Sequence, residues 1–242
     1  MPGPRRNRFA ITVATLAALM LLITGGVGYL GYFGGPVLRA FPATAPAPHG
    51  AQGTQVLFLS GDMGLNAGMA PRVIAALNAG GLSVLGFNSL TAFGTRRTPA
   101  EAVAIVAAAI SRAERNPGTT RVVLIGQSFG ADMLQYASAH LPHALRPAVA
   151  RVILLVPGNT LLFKASPGGV LDGAPDAPAL PSARRIDWTP LTCIQGAAES
   201  HSLCPLLRGP NMRRIALPGG HFMNYDVSLI ARTLRGVIAN GR

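Results

Sequence analysis

Acidic side chains are scarce in this sequence. Only nine of its 242 residues are Asp or Glu, against 21 Lys and Arg, for a formal net charge of +12. Charged residues of both signs make up 12% of the chain and hydrophobic residues 49%. That balance excludes a disordered chain held open by its own charge. Lysine is nearly absent: Lys164 is the only one, and arginine supplies the rest of the positive charge. From Ala40 onward, 17 basic residues face nine acidic ones, a net of +8. Such a surface suits nucleic acid, acidic partners or anionic lipid. The sequence carries no nucleic-acid motif and no interleaving of aromatic with basic residues, so a nucleic-acid partner is not expected. A generally basic composition accounts for the charge equally well. Cysteine is limited to Cys193 and Cys204, which allows one bridge at most and excludes a disulfide-rich scaffold. There is no internal repeat, and no metal or cofactor is expected. The length suffices for one compact domain with a substantial core.

One long apolar run is present, Phe9 to Gly35, directly after Arg5, Arg6 and Arg8. As a helix rising 1.5 Å per residue it reaches roughly 40 Å, enough to cross a bilayer with tilt. The basic flank stays in the cytoplasm and sends the remainder outward. A cleaved signal peptide is the alternative, but its apolar core spans about 7–15 residues. Ala43-Thr44-Ala45 has the small-x-small pattern, yet Pro46 follows it directly. Length favours an uncleaved anchor. The expected organisation is a basic flank at 1–8, a transmembrane anchor or signal segment at 9–35, a linker at 36–53 and a soluble domain at 54–242. Export to an oxidising compartment favours a bridge between Cys193 and Cys204, although both also read as buried thiols.

In the soluble part, short apolar runs alternate with helical stretches. Strands are expected at Gln55–Leu59, Leu82–Phe87, Arg121–Gly126, Arg151–Val156, Leu191–Gln195 and Arg213–Leu217. Helices are expected at about Gly68–Ala79, from Thr98 to about Arg115, at Phe129–His140 and at Tyr225–Ile238. Thr98-Pro99-Ala100-Glu101 is a helix start: Thr98 caps, Pro99 suits the first turn and Glu101 completes a capping box. This alternation predicts a six-stranded, mostly parallel sheet with helices on both faces. The stretch from Pro157 to Pro190, rich in Pro, Gly, Ala and Ser, is too long for an ordinary connection and reads as a lid or a mobile excursion.

Gly126-Gln127-Ser128-Phe129-Gly130 lies where a predicted strand meets a predicted helix. A lone G-x-S-x-G is weak; the strand–turn–helix context makes it the nucleophile elbow of an α/β-hydrolase, with Ser128 as nucleophile. The bland alternative is a serine that merely caps the helix. A serine hydroxyl needs a base, and His221, in Pro218-Gly219-Gly220-His221-Phe222 after the last strand, stands where this fold places one. His49, His140, His143 and His201 fit less well. The third member must be an acid between Ser128 and His221. Glu199, four residues beyond the predicted strand Leu191–Gln195, is the first choice, with Asp187 and Asp172 as fallbacks. The oxyanion donors are expected to be the backbone N–H of Phe129 and that of Asp62, with Met63 as alternate. The Asp62 carboxylate is then awkward beside an oxyanion, unless it points away to bind a cationic group on the substrate.

The strings Ser60-Gly61-Asp62-Met63-Gly64, Gly86-Phe87-Asn88-Ser89-Leu90, Val123 to Asp132, Cys193-Ile194-Gln195-Gly196, Cys204-Pro205 and Pro218 to Phe222 resemble the VirJ/AcvB family of bacterial virulence proteins. The likeness spans about Val56 to the carboxyl terminus. It departs at Met63 and Asn88, and the loop after Gly196 keeps only Glu199 of an usually acid-rich stretch. The resemblance implies an α/β-hydrolase in the periplasm that cleaves the aminoacyl ester of aminoacyl-phosphatidylglycerol, lysyl or alanyl. On that implication a membrane phospholipid is the substrate, and Asp62 or Asp132 pairs with its ammonium group. The alternatives are an esterase on another lipid or small ester, or a non-catalytic accessory of envelope secretion with protein partners.

Overall fold

In the computed structural model, residues 4–239 are described. Helix α1, Pro4–Leu30, leads into strand β1, Leu38–Phe41. Next come β2 (Thr54–Leu59), α2 (Ala70–Ala79), β3 (Ser83–Phe87) and a short helix α3 (Ser89–Phe93). Helix α4 (Pro99–Glu114), β4 (Arg121–Gln127), α5 (Phe129–Ala139) and β5 (Val149–Leu155) follow. A two-residue hairpin, β6 (Thr160–Leu161) with β7 (Ala177–Pro178), precedes α6 (Leu180–Ala183). The chain ends with β8 (Leu191–Gly196), β9 (Met212–Leu217) and α7 (Val227–Ala239). The capping box at Thr98 and Glu101 is formed in full.

The main sheet has the order β1-β3-β2-β4-β5-β8-β9. All neighbours are parallel except β1, which pairs antiparallel with β3. Every residue of β2 is buried, as expected of a central strand covered on both faces. One core layer packs α4 and α5 around Leu57, Leu124 and Leu154; the other packs α2 and α7 around Phe58, Ile125 and Ile153. The alternation of side chains along each strand assigns neighbours to opposite layers.

The sheet has seven strands rather than the six expected, and the seventh is β1. Residues 36–53, expected as a linker, include this strand. Four residues are too few for a periodic signal, and it is the open edge of β3 that recruits them. The following coil is also bonded to the domain: Thr44 N–H donates to the Asn78 carbonyl and Ala43 N–H to Ser83 Oγ. The stretch 157–190 carries β6, β7 and α6, and buries Leu161, Phe163, Ala179 and Ile186. Its longest exposed run is 170–176.

Of the expected basic flank, residues 1–3 lie outside the described residues. Ala10–Leu30 is, among the described residues, the one helix long and apolar enough to cross a membrane, and none of its hydrophobic window is buried against the domain. By length and composition it fits a membrane span or a signal sequence.

Candidate active site

Strand β4 delivers Ser128 to the carboxyl ends of the parallel strands. The chain must then reverse sharply into α5, and Ser128 takes φ 51°, ψ −123°, a region that L side chains seldom adopt. Two glycines make the reversal fit. A Cβ on Gly126 would lie 2.5 Å from the Gly130 carbonyl oxygen, and one on Gly130 would lie 2.2 Å from that of Ser60. Ser128 N–H donates to the Leu155 carbonyl, tying the elbow to β5.

The Ser128 hydroxyl donates to His221 Nε2 at 2.9 Å, and His221 Nδ1–H donates to Glu199 Oε1 at 2.5 Å. These are the roles that general-base activation of a serine requires. Glu199 is only 8% exposed, against 38% for His221, so the acid is shielded while the base meets the cleft. The loops bearing the two are bonded together: Ala198 N–H donates to the Gly219 carbonyl and Ala197 N–H to that of Leu217. A Cβ on Gly196 would sit 2.0 Å from the Gly220 carbonyl oxygen, so only glycine lets the two loops approach this closely. The fallback acids are elsewhere. Asp187 is exposed, and Asp172 accepts from Ser166 Oγ.

Cys193 and Cys204 are bridged, with 5.4 Å between their Cα atoms and 11 residues of sequence separation. The bridge closes the Glu199 loop onto β8. A loop of this length is stabilised by about 3 kcal/mol through the entropy taken from the unfolded chain. Replacing both cysteines by serine is expected to lower the unfolding free energy by about 2–3 kcal/mol in a urea titration. Hydrolytic activity should fall with it, because Glu199 loses its tether.

Phe129 N–H opens α5, where no intrahelical acceptor exists, and the helix N-terminus favours negative charge there. Facing it is the loop after β2: a Cβ on Gly61 would stand 3.5 Å from Ser128 Cβ. Asp62 and Met63 of that loop line the same cleft, of about 450 Å³, with Ser128, His221, Phe222 and Tyr225. The Asp62 carboxyl is held above its ordinary value by burial and by Asp172; hydrogen bonds from the N–H groups of Asp62 and Met63, and the nearby His221, pull the other way. Asp62 thus brings a carboxyl to the cleft that Ser128 and Met63 also line.

Asp132, the other candidate for substrate contact, is not among the residues lining this cleft. Its Oδ1 accepts from Gly158 N–H at 2.8 Å, and burial pushes its carboxyl well above the ordinary range. Gly158 forms a bridge with Ser202, and Leu203 N–H donates to the Pro157 carbonyl. Asp132 therefore connects the helix after the elbow to the loop that bears Glu199. Sequence reading missed Phe222 and Tyr225 as a unit: their rings stack at 5.1 Å with 7° between planes. Three residues apart across an irregular turn, they leave no periodic signal.

The fold recurs widely among solved structures. Est1E from Butyrivibrio proteoclasticus superposes with a TM-score of 0.60 at 17% identity, covering 84% of this chain and 94% of that one. The putative non-heme bromoperoxidase BpoC from Mycobacterium tuberculosis gives 0.61 at 18% identity, over 85% and 96%. An alpha-beta serine hydrolase homologue from Coxiella burnetii gives 0.56 at 14% identity, over 84% and 89%. At these identities the likeness establishes the α/β-hydrolase fold. No curated protein matches the sequence. A family model described as bacterial virulence protein (VirJ) matches residues 53–240. With nearly the whole globular part covered, the chain belongs to the VirJ family of bacterial virulence proteins.

Proposed function

We propose that this protein is a serine hydrolase held at the outer face of the cytoplasmic membrane, and that it cleaves the aminoacyl ester of aminoacyl-phosphatidylglycerol. The reading is carried by the relay from Ser128 Oγ through His221 to Glu199, at 2.9 and 2.5 Å, opening on a cleft. His221 Nε2 takes the hydroxyl proton as Ser128 Oγ attacks the ester carbonyl. The N–H of Phe129 and of Asp62 or Met63 stabilise the oxyanion. The C–O bond to phosphatidylglycerol breaks, and its alkoxide leaves with the proton from His221. Water, deprotonated by the same histidine, then releases the amino acid and restores Ser128. Glu199 keeps the imidazole in the required tautomer and stabilises its cation.

Support for an aminoacyl substrate comes from Asp62. Asp62 lines the same cleft as Ser128, so its carboxylate is available to the α-ammonium of a bound aminoacyl group. Pairing with that ammonium would neutralise the carboxylate charge beside the developing oxyanion. Asp62→Asn is expected to reduce the preference for an aminoacyl ester over a neutral acyl ester by about 10-fold or more, the scale of one charged hydrogen bond. The same variant has a stability signature. Because the folded-state value of Asp62 is raised, its contribution to stability is complete below the ordinary carboxylate value of 3.8 and is lost as pH rises through the raised value. Asp62→Asn should therefore raise Tm at pH 7, with the gain vanishing below about pH 4.

The direct test supplies lysyl- or alanyl-phosphatidylglycerol in nanodiscs to the full chain and follows free amino acid. Release that depends on Ser128 supports the proposal. Labelling by a phosphonate without release of amino acid would point to another ester. A folded protein that fails to react with the phosphonate at all would leave the secretion-accessory reading.

A further inference from the structure

We infer that the rim of the active-site cleft is a membrane-docking surface, held against the leaflet from which α1 emerges. The protein thus takes its substrate from lipids beside its own anchor. This rests on the proposed reading of α1 as a retained membrane anchor, and it adds how the cleft reaches the lipid. The occupant of the surface is the phospholipid interface itself.

The first observation is how the apolar helix joins the domain. A flexible tether would let the cleft face any direction, but the helix end is bonded directly into the domain. Asn66 Nδ2 donates to the Tyr29 carbonyl at 2.6 Å, Asn88 Nδ2 to that of Leu30 at 3.2 Å, and Thr91 Oγ1 to that of Gly31 at 2.9 Å. The Tyr29 and Leu30 carbonyls are among those that a helix C-terminus leaves unpaired, and Gly31 is the next residue. Asn88 Oδ1 accepts from Thr91 N–H in turn. Cleavage before the domain would leave all three side chains without these partners, which supports a retained anchor.

The second observation is where this junction lies. Asn66 belongs to the loop after β2, and Asn88 and Thr91 follow β3, so the anchor enters at the carboxyl ends of the strands, the end that carries Ser128. A Cβ on Gly64 would lie 2.6 Å from the Leu30 carbonyl oxygen, and Gly64 N–H donates to the Gly61 carbonyl. Gly61 in turn abuts Ser128. One tight turn, spanning less than about 7 Å, therefore separates the anchor's end from the nucleophile's wall. That is comparable with the headgroup zone on one side of a bilayer, about 5–8 Å deep. Tyr29 and Phe33 are each 66% exposed around the helix end, as aromatic residues are where spans meet the interface.

The third observation is the rim. Val170 is 82% exposed and Leu171 64%, with Phe222 at 53% and Tyr225 at 52%. Phe222 and Tyr225 line the cleft together with Gly168 and Met63. A Cβ on Gly168 would lie 3.6 Å from Met63 Sδ, in the same loop that touches Leu30. Apolar side chains left in water thus border the active-site cleft on the side where the anchor joins the domain.

The test places the full chain, with Ser128→Ala to remove turnover, in nanodiscs of phosphatidylglycerol and phosphatidylethanolamine. A bimane fluorophore is attached at Leu171→Cys, or at Glu114→Cys on the end of α4 far from the cleft. Lipids brominated in the acyl chain should quench the first label several-fold more than the second. Equal, weak quenching at both positions overturns the proposal. In the active chain, Val170→Glu with Leu171→Glu should slow cleavage of the lipid ester at least 10-fold, with hydrolysis of a short water-soluble ester unchanged within two-fold. An unchanged lipid rate, or an equal loss on both substrates, also overturns it. If Leu171 is quenched by lipid in a protein that releases no amino acid, the aminoacyl substrate falls and the docking surface stands.

Discussion

Replacing Ser128 by alanine is expected to lower ester hydrolysis by about 10⁴-fold or more. The melting temperature should stay close to that of the native chain, because Ser128 Oγ contributes one hydrogen bond in a cleft that water also reaches. His221→Ala should cost as much. A double variant should cost little beyond either alone, since the groups act as one unit. Glu199→Gln is the informative member of the set. It preserves the shape of the site and removes the charge that holds the Nδ1 proton, so a loss on the order of 10⁴-fold is expected with the fold intact. Glu199 is buried against His221 Nδ1, and water is poorly placed to substitute for it. Turnover measured on a short soluble ester avoids any dependence on lipid presentation. If Ser128→Ala retained more than a tenth of native turnover, the assignment of the nucleophile would be wrong.

A methyl group added at Gly130 is expected to lower both stability and turnover, by a route that leaves the Ser128 hydroxyl in place. The added Cβ would lie 2.2 Å from the Ser60 carbonyl oxygen and 2.5 Å from that of Leu59. Both are backbone atoms, so no side chain can swing aside. Helix α5 must move away from β2 or the end of β2 must bend. Overpacking of this kind costs about 1–3 kcal/mol, and more where backbone must shift. The same displacement pulls Phe129 N–H away from the loop at Gly61 and Asp62, and an error of about 1 Å in such a constellation costs about 10²-fold in rate. Gly130→Ala should thus lower both Tm and turnover. Gly236→Ala provides the control, since a Cβ on Gly236 meets nothing within 4 Å and Ala is the better helix former. A Gly130→Ala protein with native Tm and native rate would show that the backbone contact between α5 and β2 is not what sets the elbow.

The parallel strands and the principal helices were readable from residue order, within a few residues at their ends. Apolar runs such as Val122 to Ile125 have no polar face, and a strand covered on both sides by helices needs none. The elbow was readable because its requirement is local: an apolar strand, a serine in a backbone region that side chains avoid, and glycines where Cβ atoms would collide. His221 followed from its place after the last strand. Asp132 is the instructive departure. Its place in a family string suggested substrate contact, whereas its carboxylate accepts from Gly158 N–H and Asp132 is not among the residues lining the cleft. Nothing near Asp132 in sequence announces Gly158, because the two are joined only by the packing of α5 against the exit of β5.

By itself, the sequence determined the features whose physics acts over a few residues: the membrane-length apolar run, the capping box at Thr98, the strand–turn–helix elbow around Ser128 and the succession of buried strands. The sequence favoured Glu199 as the acid and a Cys193–Cys204 bridge, and the tertiary structure separated each from the alternatives left open, Asp187 and Asp172 on one side and two buried thiols on the other. It also decided that Leu38–Phe41 joins the sheet as a seventh strand, and that the end of α1 is bonded to Asn66, Asn88 and Thr91 beside the cleft. Each of those depends on contacts between residues far apart in the chain. Such contacts are set by how the layers pack and which backbone groups remain unpaired, and no local pattern of residue types records that.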